Sequence, residues 1–407
     1  MAQESLAILG AGQAAGQAIA SLRAGGFAGP ITLVGEELAP PYQRPPLSKK
    51  YLAGEWGLDR VELKAASFYT EMKVDMRLGI SAEAIDRKAA RVRLSDGASL
   101  AYDRLIIATG SRVRRLNVPG VHLPGVFYLR NVADVDAIRP YLKPGKRLAV
   151  IGGGYIGLEV AAVARQHGLD VSVVEMTERC LNRVVAPEVS AFFEKVHSDA
   201  GVKILTGETL SAFEGAGKIE RVVCASGVRL AVDFVVIGVG ILPNQEIAGE
   251  AGLKCENGIW VDEHARTDDD AIYSAGDCAN LPSGLYERRI RLESVHNAIE
   301  QAKTAAAAIC GKPAPYDQVP WFWSDQYDLK LQIAGLNQGY DKVVLRGDPA
   351  TRKFAAFYLK AGRLIAVDAI NAAPEYMMGR KLIGDRAVIA PERLADLKVP
   401  MKEMAAA

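Results

Sequence analysis

Two runs of small residues carry the first chemistry legible in this chain. Gly10, Gly12 and Ala15 stand as G-x-G-x-x-A, and Gly152, Gly154 and Gly157 as G-x-G-x-x-G. In such a run the first glycine permits a tight turn, the second lets backbone approach a pyrophosphate, and the third small residue lets a helix pack close to its sheet. The helix that follows offers unbonded N–H groups and the positive end of its dipole to the phosphates. An acid closing the next strand accepts a ribose hydroxyl, and Glu36 and Glu37 stand there in the first unit, Glu175 in the second. Glu175 would repel a 2′-phosphate and so favours NAD over NADP, while Arg179, close by in sequence, pulls the other way. Two adenine-dinucleotide sites have an economical joint use. One holds a flavin permanently and the other binds nicotinamide transiently, so that hydride passes from NAD(P)H to the flavin.

Strand–turn–helix–strand units must hold these runs. LAIL before Gly10 and RLAVI before Gly152 predict buried strands, QAIASLRAG predicts a helix, and ITLVG and VSVVE predict the strands that end in the acids. RVRLSDGASLAYDRLIIATG predicts a hairpin turning at Ser95-Asp96-Gly97 and then a buried strand; VVCASGVRLAVDFVVIGVGILPN repeats the plan with its turn at Ser226-Gly227. Duplication on this scale predicts two similar α/β folds. Between them, PPYQRPPLSKKYLAG is too rich in proline for a regular helix or a central strand and reads as a structured loop carrying Arg44, Lys49 and Lys50. The stretch YERRIRLESV reads as a strand and SVHNAIEQAKTAAAAICG as a helix. From residue 320 the character changes. FAAFYLKA and RLIAVDAI predict two strands around a turn near Ala361-Gly362, and PEYMMGRKLIGD predicts a helix, together a small α+β domain.

Composition narrows the function. With 407 residues, 49% of them apolar, and a formal charge of +1, the chain is long enough for two or three domains and has no bulk charge with which to bind nucleic acid. The N-terminal MAQESLAILGAG has no basic, apolar, cleavable leader, and no apolar run is long enough to span a bilayer, so no membrane partner and a cytoplasmic location are expected. Cys180, Cys224, Cys255, Cys278 and Cys310 are scattered, without metal-like clustering with the five histidines. They read as free thiols in a reducing compartment, and no metal site is expected.

Read in order, PPYQRPPLSK, DRLIIATGSR, IGGGYIGLEVAA, GVGILPN, IYSAGDCA and PWFWSDQY make a chain that resembles, over nearly its whole length, the FAD-dependent ferredoxin reductases of bacterial oxygenase systems. The resemblance implies a glutathione-reductase-like α/β architecture of two Rossmann-like dinucleotide-binding domains plus a small C-terminal α+β domain. Its FAD domain would comprise residues 1–112 and 242–319, its NAD domain 113–241 and its C-terminal domain 320–407. It implies FAD pyrophosphate at Gly10 and Gly12, adenosine ribose at Glu36, adenine at the backbone of Ala82, and the flavin ring at Arg44, Pro45 and Lys49. Thr109, Gly110 and Arg130 would lie near FAD, Asp277 at the ribityl and phosphate region and Val295 at the ring. Lys49 beside the flavin would favour its electron-rich form, and Glu159 would hold that lysine and meet the nicotinamide carboxamide; an unrelated solvated pair is the alternative. Trp321 and Trp323 read either as core of the third domain or, as the resemblance implies for Trp323, as an aromatic shield for the ring. His296 falls where the family more often has proline.

The acceptor follows from what is lacking. A two-fingerprint flavoprotein that reduces disulfides needs a nearby redox pair, and a peroxidase or water-forming oxidase of this fold needs a single reactive cysteine after the second strand; residues 38 to 55 have none. Electrons must then leave the flavin directly, for which a one-electron protein carrier is the natural acceptor. The resemblance implies a 2Fe-2S ferredoxin supplying an oxygenase, first a cytochrome P-450 monooxygenase. Rubredoxin, a Rieske dioxygenase ferredoxin, and a nicotinamide-sensing role like that of apoptosis-inducing flavoproteins stay open. An acidic ferredoxin would dock on Arg289 and Arg291, on one face of a strand of period two, with Lys381 and Arg386 as further candidates.

Overall fold

In the computed structural model, which describes residues 4–404, the two small-residue runs fall at equivalent places in two parallel sheets. The chain separates into two units. One comprises Met1–Gln43, Asp59–Arg112 and Leu242–Pro320, the other Arg44–Leu58, Val113–Ile241 and Trp321–Ala407. The proline-rich stretch from Arg44 thus belongs with the second unit.

In the first unit Leu6–Leu9, buried at every position, lies between Ile31–Gly35 and Arg104–Ile107. Val74–Leu78 and Ile272–Ser274 extend the sheet on its two sides, all strands running parallel. Strands covered on both faces read as unbroken apolar runs, which is why LAIL and RLII were legible. The helix Gln13–Gly25 packs on the helix Val295–Ile309 through Ala14, Ala15 and Ala18 on one side and Ala298, Ala302 and Ala305 on the other. Side chains this small let the axes approach closely. Gly26 ends the first helix at φ 94°, its N–H bonding Arg23 O while the Phe27 N–H bonds Leu22 O; a left-handed residue of this kind is the usual helix stop.

The second unit repeats the plan. Arg147–Ile151 lies between Asp170–Val174 and Phe234–Ile237, with Lys203–Leu205 and Val126–Tyr128 outermost, again all parallel. The duplication reaches the antiparallel sheets. Ala82–Asp86, Arg91–Leu94 and Ser99–Ala101 in the first unit match Leu210–Glu214, Arg221–Cys224 and Arg229–Ala231 in the second, and each first strand carries a register shift, at Ala82/Ala84 and at Leu210/Ala212.

The C-terminal part of the second unit is a five-stranded antiparallel sheet in the order Trp321–Gln326, Leu329–Gly335, Arg363–Ile370, Lys353–Lys360, Lys342–Asp348. Two of these strands were expected. The helix Ala373–Gly384 covers it and comes so close at Gly379 that a Cβ there would stand 2.7 Å from Val367. The expected strand at residues 286–295 is shorter, Arg288–Ile290, because Ser294 caps the helix that starts at Val295. Among the described residues no helix is long and apolar enough to cross a membrane.

Candidate functional site

The first cradle follows from glycine stereochemistry. Gly10 has φ 103°, its N–H bonds Val34 O at 2.8 Å, and a Cβ there would stand 2.2 Å from Ala108 O, so only glycine fits. Gly12 caps the helix without a side-chain hydrogen bond, and a Cβ on it would meet nothing within 4 Å. Open space over a helix N-terminus, with uncapped N–H groups, suits a pyrophosphate. Gln13 Oε1, on the first helical residue, is buried without a partner among the described residues. Ala15 is fully buried beneath the turn.

The two acids after Ile31–Gly35 now separate. Glu37 Oε2 accepts the Tyr42 hydroxyl at 2.5 Å, whereas Glu36 is exposed at the end of the strand. Of the two acids, Glu36 is the one that stands open to solvent at the strand end. The segment leading to Ala82 is pinned to the same strand end, with Ile80 N–H on Gly35 O at 3.0 Å. Thr109 is tied to Asn244 of the GVGILPN stretch in both directions, its hydroxyl donating to Asn244 O at 2.7 Å and its carbonyl accepting Asn244 Nδ2 at 2.9 Å. Gly110 O accepts Asn244 N–H at 2.9 Å. Asp277 Oδ2 accepts the Ser111 hydroxyl at 2.6 Å, and Gly276 before it is held by Gln301 Oε1 at 2.7 Å. Val295 is the first residue of its helix, beside buried His296.

The second cradle has the same build. Gly152 has φ 105° and a Cβ on it would stand 2.4 Å from Gly238 O; one on Gly157 would stand 2.1 Å from Gly152 O; one on Gly154 would meet nothing within 4 Å. Glu175 closes the cradle, accepting Gly153 N–H at 2.6 Å with one oxygen and Thr177 N–H and Oγ1 at 2.8 and 2.7 Å with the other. Arg179 is committed elsewhere. Its guanidinium donates to Asn182 O and Val185 O at 3.1 and 3.0 Å and to Ser190 Oγ at 2.5 Å. It does not offset Glu175 toward a 2′-phosphate.

Beside this cradle the proline-rich stretch resolves into a short 3-10 turn, Pro45–Ser48, with prolines where a missing N–H costs nothing. It delivers Ser48 and Lys49 together to Glu159, on the helix Tyr155–Gln166. Lys49 Nζ lies 2.7 Å from Glu159 Oε2, and the Glu159 side chain is only 1% exposed, so the solvated-pair alternative fails. Ser48 donates to the same oxygen at 2.5 Å and Ser324 to the other at 2.6 Å. Neither serine was singled out from sequence. Arg44 Nη1 donates to Arg130 O at 2.8 Å, bringing those two candidates together. Trp321 and Trp323 are half-buried, ring centroids 5.6 Å apart, and Trp321 also meets Tyr376 edge-on at 6.4 Å.

The two arginines expected to dock a ferredoxin are instead engaged within the chain. Arg289 lies 4.1 Å over the Trp260 ring and donates to Val261 O at 2.7 Å. Arg291 is 11% exposed and bonds Glu293 at 2.6 Å, Asn257 Oδ1 at 3.0 Å and Asp277 O at 3.2 Å. Both guanidinium groups hold the chain's own backbone, which charge and period alone do not reveal. Lys381 is 60% exposed and paired with Asp385.

All five cysteines are free. Burial pushes the Cys180 thiol up to about 12 and that of Cys255 to about 11, and it raises Cys224, Cys278 and Cys310 as well. A thiol held protonated is a poor nucleophile.

Comparison with known proteins agrees with this geometry. Residues 4–302 match the model of the pyridine nucleotide-disulphide oxidoreductases, and residues 321–405 that of the reductase C-terminal domain. Putidaredoxin reductase of Pseudomonas putida is 43% identical, with 100% of this chain and 98% of that protein covered. The crystal structure of the covalent putidaredoxin reductase–putidaredoxin complex superposes with a TM-score of 0.97 at 43% identity, covering 100% of this chain and 99% of the other. That of the ferredoxin reductase for the CYP199A2 system from Rhodopseudomonas palustris does so at 0.96 and 41% identity, covering 99% and 100%.

Proposed function

The chain belongs to the pyridine nucleotide-disulphide oxidoreductases, in their branch of ferredoxin reductases of oxygenase systems, and from that premise we propose that it carries electrons from NADH through FAD to a 2Fe-2S ferredoxin that supplies an oxygenase. The observation that carries this reading is the pair of cradles, each with its second glycine facing open space over an uncapped helix. All five cysteines are meanwhile free, and burial raises the pKa of each thiol, which weakens any competing thiol relay. Bound flavin supplies the chemistry, taking a hydride and giving electrons up singly.

The chain's own residues bind and orient. We assign FAD to residues 1–112 and 242–319, of which Arg44–Leu58 packs with the second unit, with Gly10, Gly12 and Ala15 at the pyrophosphate, Glu36 at the adenosine ribose, Ala82 at adenine, and Thr109, Gly110, Asp277 and Val295 along the remainder. We assign NADH to residues 113–241, with Gly152, Gly154 and Gly157 at its pyrophosphate and Glu175 at its ribose. Arg44, Pro45 and Arg130 are assigned to FAD as well. Lys49 is the cation that favours reduced flavin, Glu159 orients that ammonium and accepts from the nicotinamide carboxamide, and Trp323 is the aromatic shield. A cytochrome P-450 monooxygenase is the oxygenase we put first, and the cytoplasm the compartment.

The reading is tested with purified 2Fe-2S ferredoxins, a rubredoxin and ferricyanide as acceptors under saturating NADH. Ferredoxin reduction, seen as bleaching of the cluster's visible absorbance, should exceed rubredoxin reduction. Ferricyanide turnover without reduction of any ferredoxin would overturn the assignment of the acceptor.

A further inference from the structure

Glu159 stands at one end of a buried chain of hydrogen bonds that the proposed chemistry does not use. Ser324 Oγ lies 2.6 Å from Glu159 Oε1, Gln326 Nε2 3.1 Å from Ser324 Oγ, His197 Nε2 2.8 Å from Gln326 Oε1, and Tyr327 Oη 3.2 Å from His197 Nδ1. Ser324, Gln326 and His197 are 1%, 1% and 0% exposed, while Tyr327 is half-buried. The residues come from the strand Trp321–Gln326, the turn after it and the helix Pro187–Asp199.

The charged end fixes the direction of every bond. A carboxylate paired with an ammonium only accepts, so Ser324 donates its one proton to Glu159. Ser324 Oγ must then accept, which turns the Gln326 NH2 group toward it and leaves the amide oxygen facing His197. Nε2 of His197 therefore carries the proton. In a neutral imidazole Nδ1 is then an acceptor, and the Tyr327 hydroxyl donates to it. Burial, the larger influence, lowers the pKa of His197 below its ordinary 6.5, which keeps the ring neutral, although the Gln326 bond acts the other way. Four donors in succession point at Glu159.

We infer that His197, Gln326 and Ser324 form a relay of fixed polarity that orients the Glu159 carboxylate, and that His197 and Gln326 are positioning residues for hydride transfer. Only the second half rests on the role proposed above for Glu159. The first is a statement about hydrogen-bond direction, and it has a consequence. In Glu159→Gln, Lys49 Nζ can only donate, so the amide oxygen must take the place beside it and the NH2 group must face Ser324. Every bond then reverses, and His197 passes to the tautomer protonated on Nδ1.

Nitrogen NMR of the holoenzyme with isotopically labelled histidine reads the tautomer directly. Wild-type His197 should be neutral and protonated on Nε2, and Glu159→Gln should move the proton to Nδ1. A protonated ring or the Nδ1 tautomer in the wild type, which needs no variant to fold, would overturn the relay, as would an unmoved tautomer in the variant. The positioning role is read by rapid mixing with NADH. His197→Leu and Gln326→Leu should lower the limiting rate of flavin reduction roughly tenfold, since a small misplacement of an orienting group is costly. His197→Gln, whose amide can donate to Gln326 and accept from Tyr327, should restore it. Unchanged rates in both leucine variants would overturn the positioning role. Failure of the wild type itself to reduce flavin with NADH would instead overturn the role of Glu159 and leave the tautomer result standing.

Discussion

Glu175 is fixed before any nucleotide arrives, because Gly153 N–H and Thr177 hold both its oxygens, and Arg179, turned onto Asn182 and Val185, supplies no compensating charge. NADPH should therefore be disfavoured by about 1–3 kcal/mol, roughly 10- to 150-fold in kcat/KM. Glu175→Ala should narrow that gap in steady-state kinetics; a wild type using both equally would mean that Glu175 does not meet the ribose. Lys49 and Glu159 carry a second prediction. Lys49→Met leaves a buried carboxylate without its counter-charge and should cost about 3 kcal/mol in denaturant unfolding. Lys49→Met/Glu159→Gln should recover most of that stability while hydride transfer stays slow, which separates structure from chemistry. At this scale the sequence was partly legible. The cradle glycines and both members of the Lys49–Glu159 pair could be named, but Ser48 and Ser324 could not. Serine is chemically unremarkable until its partner is known, and Ser324 lies 165 residues from Glu159.

The strand–turn–helix elements make two glycines of one run behave oppositely. Gly12→Val would place a side chain in the open space over the helix N-terminus, so the variant should fold with the thermal midpoint of the wild-type apoprotein yet purify largely without FAD. Gly10→Val would meet Ala108 O and hold a β-branched residue at φ 103°, so it should lose stability first. Equal flavin content and equal stability in the two would contradict this division of roles. The parallel strands were readable because burial on both faces makes them uniformly apolar. Of the three strands of the C-terminal sheet that the sequence did not suggest, two hid for the opposite reason. Lys342–Asp348 contains Arg346, only 4% exposed, whose guanidinium bonds Leu394 O, Asp396 O and Val399 O. Trp321–Gln326 buries Ser324 and Gln326 for the Glu159 network. Buried polar residues break the alternation on which a strand reading depends.

Across the whole molecule, stability should carry a pH signature from Asp368, buried in the C-terminal sheet and bonded by the Tyr358 hydroxyl. Burial pushes its carboxyl up to about 7 from an ordinary 3.8, against the opposing pull of that hydrogen bond. The folded protein thus holds a proton that the unfolded chain releases. The contribution is complete below the ordinary carboxylate range and is lost as pH rises through about 7. Asp368→Asn should flatten the fall in unfolding free energy across that window, a change on the order of a few kcal/mol; identical pH profiles would mean that Asp368 does not titrate there. Function at this scale is the passage of electrons from NADH through FAD to a ferredoxin without a thiol. The most direct test is anaerobic rapid mixing in two steps, with the cysteines first alkylated as far as the fold allows. NADH should bleach the flavin absorbance within one turnover, and oxidised ferredoxin added next should restore it while its own cluster is reduced. A flavin that stays oxidised with NADH, or a reduced flavin that returns electrons to ferredoxin only when its thiols are unblocked, would contradict the account.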